Sequence, residues 1–190
     1  MEGKTVYFAQ PGRENTEEVL RIAKLRAEEL GIKSILVAST SGNTAVRATE
    51  VFEGIRVVAV SHFTGFRELN VQEFTNENRQ KVESKGGIVL TTMHAFAGVD
   101  RAMRKKFNMY LLGDTIASTL RIFGQGMKVA CEISLMAADA GLVRTDEDVI
   151  AIGGTGRVGG GADTALVLRP VNSMDFFDLK VNEILCKPHF

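Results

Sequence analysis

Ser39-Thr40-Ser41-Gly42-Asn43-Thr44 joins an apolar run, Ser34–Ala38, to a stretch of helical patterning, about Gly42–Phe52. Four hydroxyls, an amide and a glycine therefore stand where a strand turns into a helix. The first turn of a helix carries unpaired N–H groups and a partial positive charge. A phosphate seated there accepts those bonds. Ser39, Thr40, Ser41 and Thr44 can each donate one more, and Gly42 is expected to let the anion approach the backbone. Such a site needs no lysine, and the GxxxxGK[ST] spacing of a P-loop is absent. One hydroxyl would mean only a helix cap, and Ser41 alone can supply it. Four exceed that need, so a phosphate site is expected.

The second chemical signal is IGGTGRVGGGADT, Ile152–Thr164, with six glycines between two apolar runs. Backbone amides in such a loop can come close to a ligand. Gly153, Gly154, Thr155, Gly156 and Gly161 are candidates for that contact. Arg157 adds a fixed charge suited to a phosphate or carboxylate, and Asp163 is suited to accepting a bond from a sugar or ribityl hydroxyl. The alternative is a flexible hairpin with a solvated arginine. The loop contains a GxG, but no helix follows, so a dinucleotide fingerprint lacks its context.

His62 and His94 each follow an apolar run, and Thr92 precedes His94 closely. As residues beyond strand ends they can contact a ligand or exchange protons. His189 lies next to the terminus and is expected in solvent. Asp114 follows Gly113 at a helix start and is expected to cap it. No Ser-His-Asp order, HExxH or carboxylate pair stands out, so catalytic residues stay unassigned and no metal site is expected.

The elements that must position these groups alternate. Strands are expected at Thr5–Ala9, Ser34–Ala38, Arg56–Val60, Gly87–Thr91, Asp148–Ile152 and Thr164–Leu168, with an edge strand within Phe177–Cys186. Helices are expected at Asn15–Leu30, about Gly42–Phe52, around Thr75–Ser84, and through much of Ala95–Gly141, ending in about Met127–Ala140. Asn15 and Glu18 have capping-box spacing, and Gly31 can close the first helix. This alternation predicts an α/β fold: a mainly parallel sheet between two helical layers. The last hairpin, with no helix between its strands, is antiparallel. Ligands of such sheets bind beyond the carboxyl ends of the strands, where the turn, the loop and both histidines should gather.

Three segments resemble the C-terminal α/β domain of pyruvate kinase: STSGNTAVRATEVFEGIRVVAVS, MKVACEISLMAADAGLVRTDEDVIAIGGTG and GRVGGGADTALVLRPV. The likeness covers about half the chain and is weakest over Phe63–Gln125. It implies a five-stranded core of order 3-2-1-4-5 with its last strand antiparallel. That order separates the strands before His62 and His94, which argues against a metal pair, and makes His94 the better ligand candidate, at the switch point. The domain has no catalytic barrel, so no pyruvate kinase active site is implied. In many such enzymes it binds fructose 1,6-bisphosphate, with one phosphate on the hydroxyl turn and the other end at the glycine-rich loop. The sequence is similar also to small free-standing archaeal-type proteins of this kind, for which the resemblance implies flavin mononucleotide (FMN). Its phosphate would sit on Ser39–Thr44, with its ring toward Thr92, His94 and Gly153–Thr155. A flavin-dependent oxidoreductase and a sugar-bisphosphate sensor are the alternatives.

Composition bounds these readings. One domain, 1–190, is expected from 190 residues with 45% hydrophobic content. Lys plus Arg and Asp plus Glu both number 23, so no charge imbalance points to nucleic acid or an anionic membrane. Two cysteines outside any CxxC, and no signal-like or membrane-length apolar run, suit a reducing cytoplasm. The apolar residues of Phe96–Phe123 need burial, which keeps a homo-oligomer among the expectations.

Overall fold

The central strands are apolar toward both faces, a pattern that requires a helical layer on each side. The computed structural model describes residues 3–156 and 160–189. Its strands are β1 (Val6–Phe8), β2 (Ser34–Ala38), β3 (Arg56–Ser61), β4 (Ile88–Thr91), β5 (Val149–Gly153), β6 (Thr164–Arg169) and β7 (Lys180–Pro188). Its α-helices are α1 (Thr16–Leu30), α2 (Asn43–Val51), α3 (Asn76–Ser84), α4 (Gly98–Phe107), α5 (Leu112–Arg121) and α6 (Gln125–Asp139).

The strands form one sheet in the order β1-β7-β6-β5-β2-β3-β4. β6 runs antiparallel to both its neighbours, and every other pairing is parallel. Counted from β2, the core has the expected 3-2-1-4-5 order with its last strand reversed. The tail differs from expectation. It supplies β7, which lies inside the sheet, because β1 pairs along its outer side.

Alternation along each strand sorts the core into two layers. Ile35, Val37, Val57, Ile150 and Ile152 pack with Val19, Leu20 and Ala23 of α1 and Ala48 of α2. Leu36, Val58, Val60 and Ala151 pack instead with Ala130, Cys131, Met136 and Ala137 of α6. Helix α3 joins the first layer through Val82, beside Phe74 and Ala45. Helix α5 leans on α6 through Ala117 and Leu135.

Two glycines bring α6 against the sheet. A Cβ on Gly126 would lie 2.1 Å from Thr164 Oγ1, and one on Gly153 would lie 2.6 Å from the Gly126 carbonyl. Helix ends also depart from expectation. Asn15 occupies the N-cap of α1, but its side-chain amide donates to Gln10 O at 2.8 Å. Glu18 pairs with Arg21 instead of closing a capping box. Gly31 does close α1, in the left-handed conformation. Among the described residues, no helix is long and apolar enough to cross a membrane.

Candidate functional site

β2 and β5 are parallel neighbours whose next strands lie on opposite sides, β3 beyond β2 and β6 beyond β5. Their following loops diverge, which opens a crevice at the carboxyl rim. A cleft of about 490 Å³ occupies it. Ser39, Thr40, Ser41, Asn43 and Thr44 form one wall, and Gly154, Gly156, Gly160 and Gly161 form the opposite one. Arg13, in the 3-10 turn before α1, and Thr16, the first residue of α1, close the end.

The turn is built differently from a capped helix. The N-cap of α2 is Gly42, at φ 98°, and no side chain caps the helix. Ser41 is therefore not the cap. Its carbonyl accepts from Thr75 N at 3.2 Å and Asn78 Nδ2 at 3.0 Å. Among the described residues, the hydroxyls of Ser39, Thr40, Ser41 and Thr44 have no hydrogen-bond partner. Gly42 does not line the cleft. A Cβ there would lie 2.6 Å from Asn78 Cβ and 2.8 Å from the Phe74 ring, so the glycine serves the positive φ and the packing of α3. Asn43 is likewise engaged, its Oδ1 accepting from Asn78 Nδ2 at 2.9 Å.

The glycine-rich loop also turns out partly structural. Asp163 is buried, and both carboxylate oxygens are occupied. Oδ2 accepts from Thr155 N at 3.1 Å and Thr155 Oγ1 at 2.6 Å, and Oδ1 from Thr164 Oγ1 at 2.9 Å. Asp163 and Thr155 therefore lock the loop base. Side-chain space at Gly153, Gly154 and Gly161 is taken by Gly126 O, Gly161 O and Arg13 respectively, so those glycines leave no flat bed for a ring. Gly156 and Gly160 have open space where a Cβ would be. Arg157 lies outside the described residues.

His62 stands where the cleft bends into a second lobe of about 220 Å³. This lobe also contains His94, Phe66, Arg101, Lys128 and Glu132. The expected separation of the histidines does not hold: β3 pairs directly with β4, and the two rings lie 5.2 Å apart, centroid to centroid. His94 follows the edge strand, not one at the switch point, and reaches the site because Phe63, Phe66 and His62 enclose its ring. Thr92 lines neither lobe. No cluster of three or more metal-ligating side chains occurs among the described residues.

Electrostatics differ between the lobes. In the first, Arg47 is held by Glu17 across the α1–α2 gap, at 2.9 and 3.1 Å. In the second, Lys128 and Glu132 form a buried ion pair one turn apart on α6. Burial lowers the Lys128 pKa, and Glu132 draws it back up. Burial also pushes His94 down to about 4; nearby Glu132 opposes the shift, while His62, Lys128 and Arg101 add to it. His94 is therefore neutral near pH 7. His62 Nδ1 lies 2.7 Å from Glu73 Oε2.

Arg101, Arg121, Lys128, Glu132 and Phe66 were not legible as site residues. The one available signal was Lys128–Glu132, a charged i,i+4 pair inside an otherwise apolar helix. Elsewhere, a pocket of about 360 Å³ between Glu50, Gly54 and Lys85 is bridged by the Lys85–Glu50 pair. A groove of about 480 Å³ between α4, α5 and residues 173–177 exposes Val99, Leu112, Met174 and Phe177. Asp114 was expected to cap the helix, but α5 begins at Leu112 with Leu111 as its N-cap; Asp114, at the third position, accepts from Leu111 N and pairs with Arg104.

A mostly parallel sheet between helices, closed by one reversed strand, with a hydroxyl turn and a glycine-rich loop on one rim, defines a class of three-layer α/β domain. The chain belongs to the family "Pyruvate kinase, alpha/beta domain", whose profile matches residues 17–168. Among solved structures it is similar to Cryptosporidium parvum pyruvate kinase in complex with ADP, at 12% identity and TM-score 0.42, over 82% of this chain and 24% of that one. A second C. parvum pyruvate kinase structure matches at 12% identity and TM-score 0.41, over 82% and 23%. The chain spans about a quarter of the length of those enzymes.

Proposed function

We propose that this domain binds a phosphorylated small molecule in the cleft beyond β2 and β5, with the phosphate on the Ser39–Thr44 turn. One observation carries the reading. Among the described residues, the turn keeps four hydroxyls without partners, while a glycine, not a hydroxyl, caps the helix. Unpaired first-turn N–H groups of α2 add donors and a favourable dipole. Arg13 supplies positive charge at the same cleft.

FMN is the first candidate. Its phosphate suits the turn, and its ribityl chain and ring suit the first cleft, which runs from the turn past Val129 to His62. The domain would then be a flavoprotein, and turnover of bound flavin by a nicotinamide cofactor would make it an oxidoreductase. A sugar bisphosphate such as fructose 1,6-bisphosphate is the alternative, with a sensing role.

The test is a visible absorption spectrum of freshly purified protein, with mass spectrometry of the released ligand. A flavin spectrum and released FMN support the first candidate. A colourless protein that also fails to bind added FMN removes it and brings sugar bisphosphates forward. Thr44→Ala tests the turn itself: loss of one hydrogen bond to a charged group corresponds to about 1.5–3 kcal/mol of affinity. Unchanged affinity in Thr44→Ala and Ser41→Ala would overturn the phosphate assignment.

A further inference from the structure

We infer that the second lobe is an anion-binding subsite separate from the hydroxyl turn, taking a carboxylate or phosphate group between Arg101 and Arg121. The lobe draws cations from three helices: Arg101 from α4, Arg121 from the end of α5 and Lys128 from α6. Only one carboxylate lines it, Glu132, and both its oxygens are engaged. Oε2 pairs with Lys128, and Oε1 accepts from Phe96 N at 3.2 Å. Lys128 is thereby neutralised, and the two arginines are not.

Arg101 is the decisive residue. Its Nε is buried and has no hydrogen-bond partner among the described residues. No carboxylate lies within ion-pair distance of its guanidinium among the described residues. The nearby acids are committed elsewhere: Asp100 Oδ2 accepts from Gly113 N at 2.9 Å, and Asp114 pairs with Arg104. What fixes Arg101 is Phe66, whose ring lies 4.7 Å beneath the guanidinium. Arg121 is steered by its own Nε bond to Gln125 Oε1, 2.7 Å, and no partner occupies its terminal nitrogens among the described residues.

A guanidinium offers five donors in a planar fork and cannot shed its charge by deprotonation. Withdrawing one from water without a counter-charge is costly. Burial and the neighbouring Arg104 disfavour the charged form of Arg101; Glu132 opposes them in part, and Arg121 adds to them. A bound oxyanion relieves each of these: it satisfies the orphaned Nε–H, separates the two guanidinium charges, and accepts the paired N–H geometry of arginine. The lobe shares Ser39, Thr40 and His62 with the first cleft, so one ligand carrying two anionic groups can span both. The assignment nevertheless rests on residues that the phosphate turn does not use.

The experiment is an NMR titration of the full chain with inorganic phosphate, and separately with acetate, following the assigned Nε–Hε signal of Arg101 and the backbone amides of Thr40–Ala45. Sodium chloride at matched ionic strength is the control. A saturable shift of the Arg101 signal with phosphate or acetate, absent with chloride, is the expected result, and the stronger of the two names the group. In Arg101→Met, binding read at the His94 ring should weaken about tenfold while the turn still responds. Arg121→Gln gives the same reading if Arg101→Met does not fold. An Arg101 signal that moves with neither anion, or equally with chloride, overturns the subsite and leaves the phosphate turn standing. A responsive Arg101 beside silent turn amides supports the subsite and overturns the turn.

Discussion

His62 Nδ1 and Glu73 Oε2 lie 2.7 Å apart, with Glu73 also bound through Oε1 to Arg67 Nε at 3.1 Å. With Glu73 accepting from Arg67 as well, the short contact is read as the imidazole donating from Nδ1 to the carboxylate. A ring that carries its one proton on Nδ1 keeps Nε2 as an acceptor, at the junction of the two lobes. Imidazole ¹⁵N spectra at neutral pH should show the proton on Nδ1. In Glu73→Leu the Nε2–H tautomer should appear. A wild-type ring protonated on Nε2 would show that Glu73 does not orient it.

Acid should weaken the fold through His94. Its folded pKa of about 4 lies below the ordinary 6.5. Between those values the unfolded chain binds the proton and the folded chain does not. Stability therefore falls as pH drops below 6.5, levelling near 4, with about 3 kcal/mol from this group. In His94→Phe that contribution is absent. Urea unfolding at several pH values between 7 and 4 should show the gap between wild type and variant changing by this amount. Parallel curves would contradict the burial of His94.

Removing one partner of the Lys128–Glu132 pair should cost more than removing both. Both side chains are buried, and an uncompensated buried carboxylate in Lys128→Met corresponds to about 3–5 kcal/mol. Lys128→Met with Glu132→Leu should regain part of that loss, though not all, since Phe96 N loses its acceptor. Denaturant midpoints compare the two. A double variant less stable than the single one would mean that the pair is worth more than its desolvation.

Two glycines of the loop should behave in opposite ways. At Gly161, φ is +82° and a Cβ would lie 2.4 Å from Arg13 Cα, so Gly161→Ala must push the loop off α1. The bond from Ala162 N to Thr16 Oγ1, 3.0 Å, goes with it. We expect a loss of about 2 kcal/mol or more. At Gly156, φ is +68° with open space, and Gly156→Ala should cost only the left-handed conformation, about 1 kcal/mol. Thermal midpoints in one buffer distinguish them.

Both thiols should be inert in the folded protein. Burial pushes Cys131 up to about 11 and Cys186 up to about 12, and the thiolate is the reactive form. A thiol reagent at pH 8 should label neither natively and both in denaturant. Native labelling of either would place that residue nearer solvent.

Residue patterns alone determined the layered α/β architecture, because two-sided apolar strands and one-sided helices are local properties of the chain. The place of the Ser39–Thr44 turn, between β2 and α2, was also legible, since a strand end and a helix start are set by residues within a few positions. Tertiary structure decided the rest. Gly42 was read as an opening for an anion, and it packs against Phe74 and Asn78, which lie more than thirty residues away. Asp163 reads as a ligand contact from its place after the loop, and the structure gives it a second task, the bonds to Thr155 and Thr164. The second lobe joins α4, the end of α5, α6 and the β3 loop. No periodicity or spacing encodes that meeting, because it follows from β4 pairing with β3 and from α6 crossing the opposite face of the sheet.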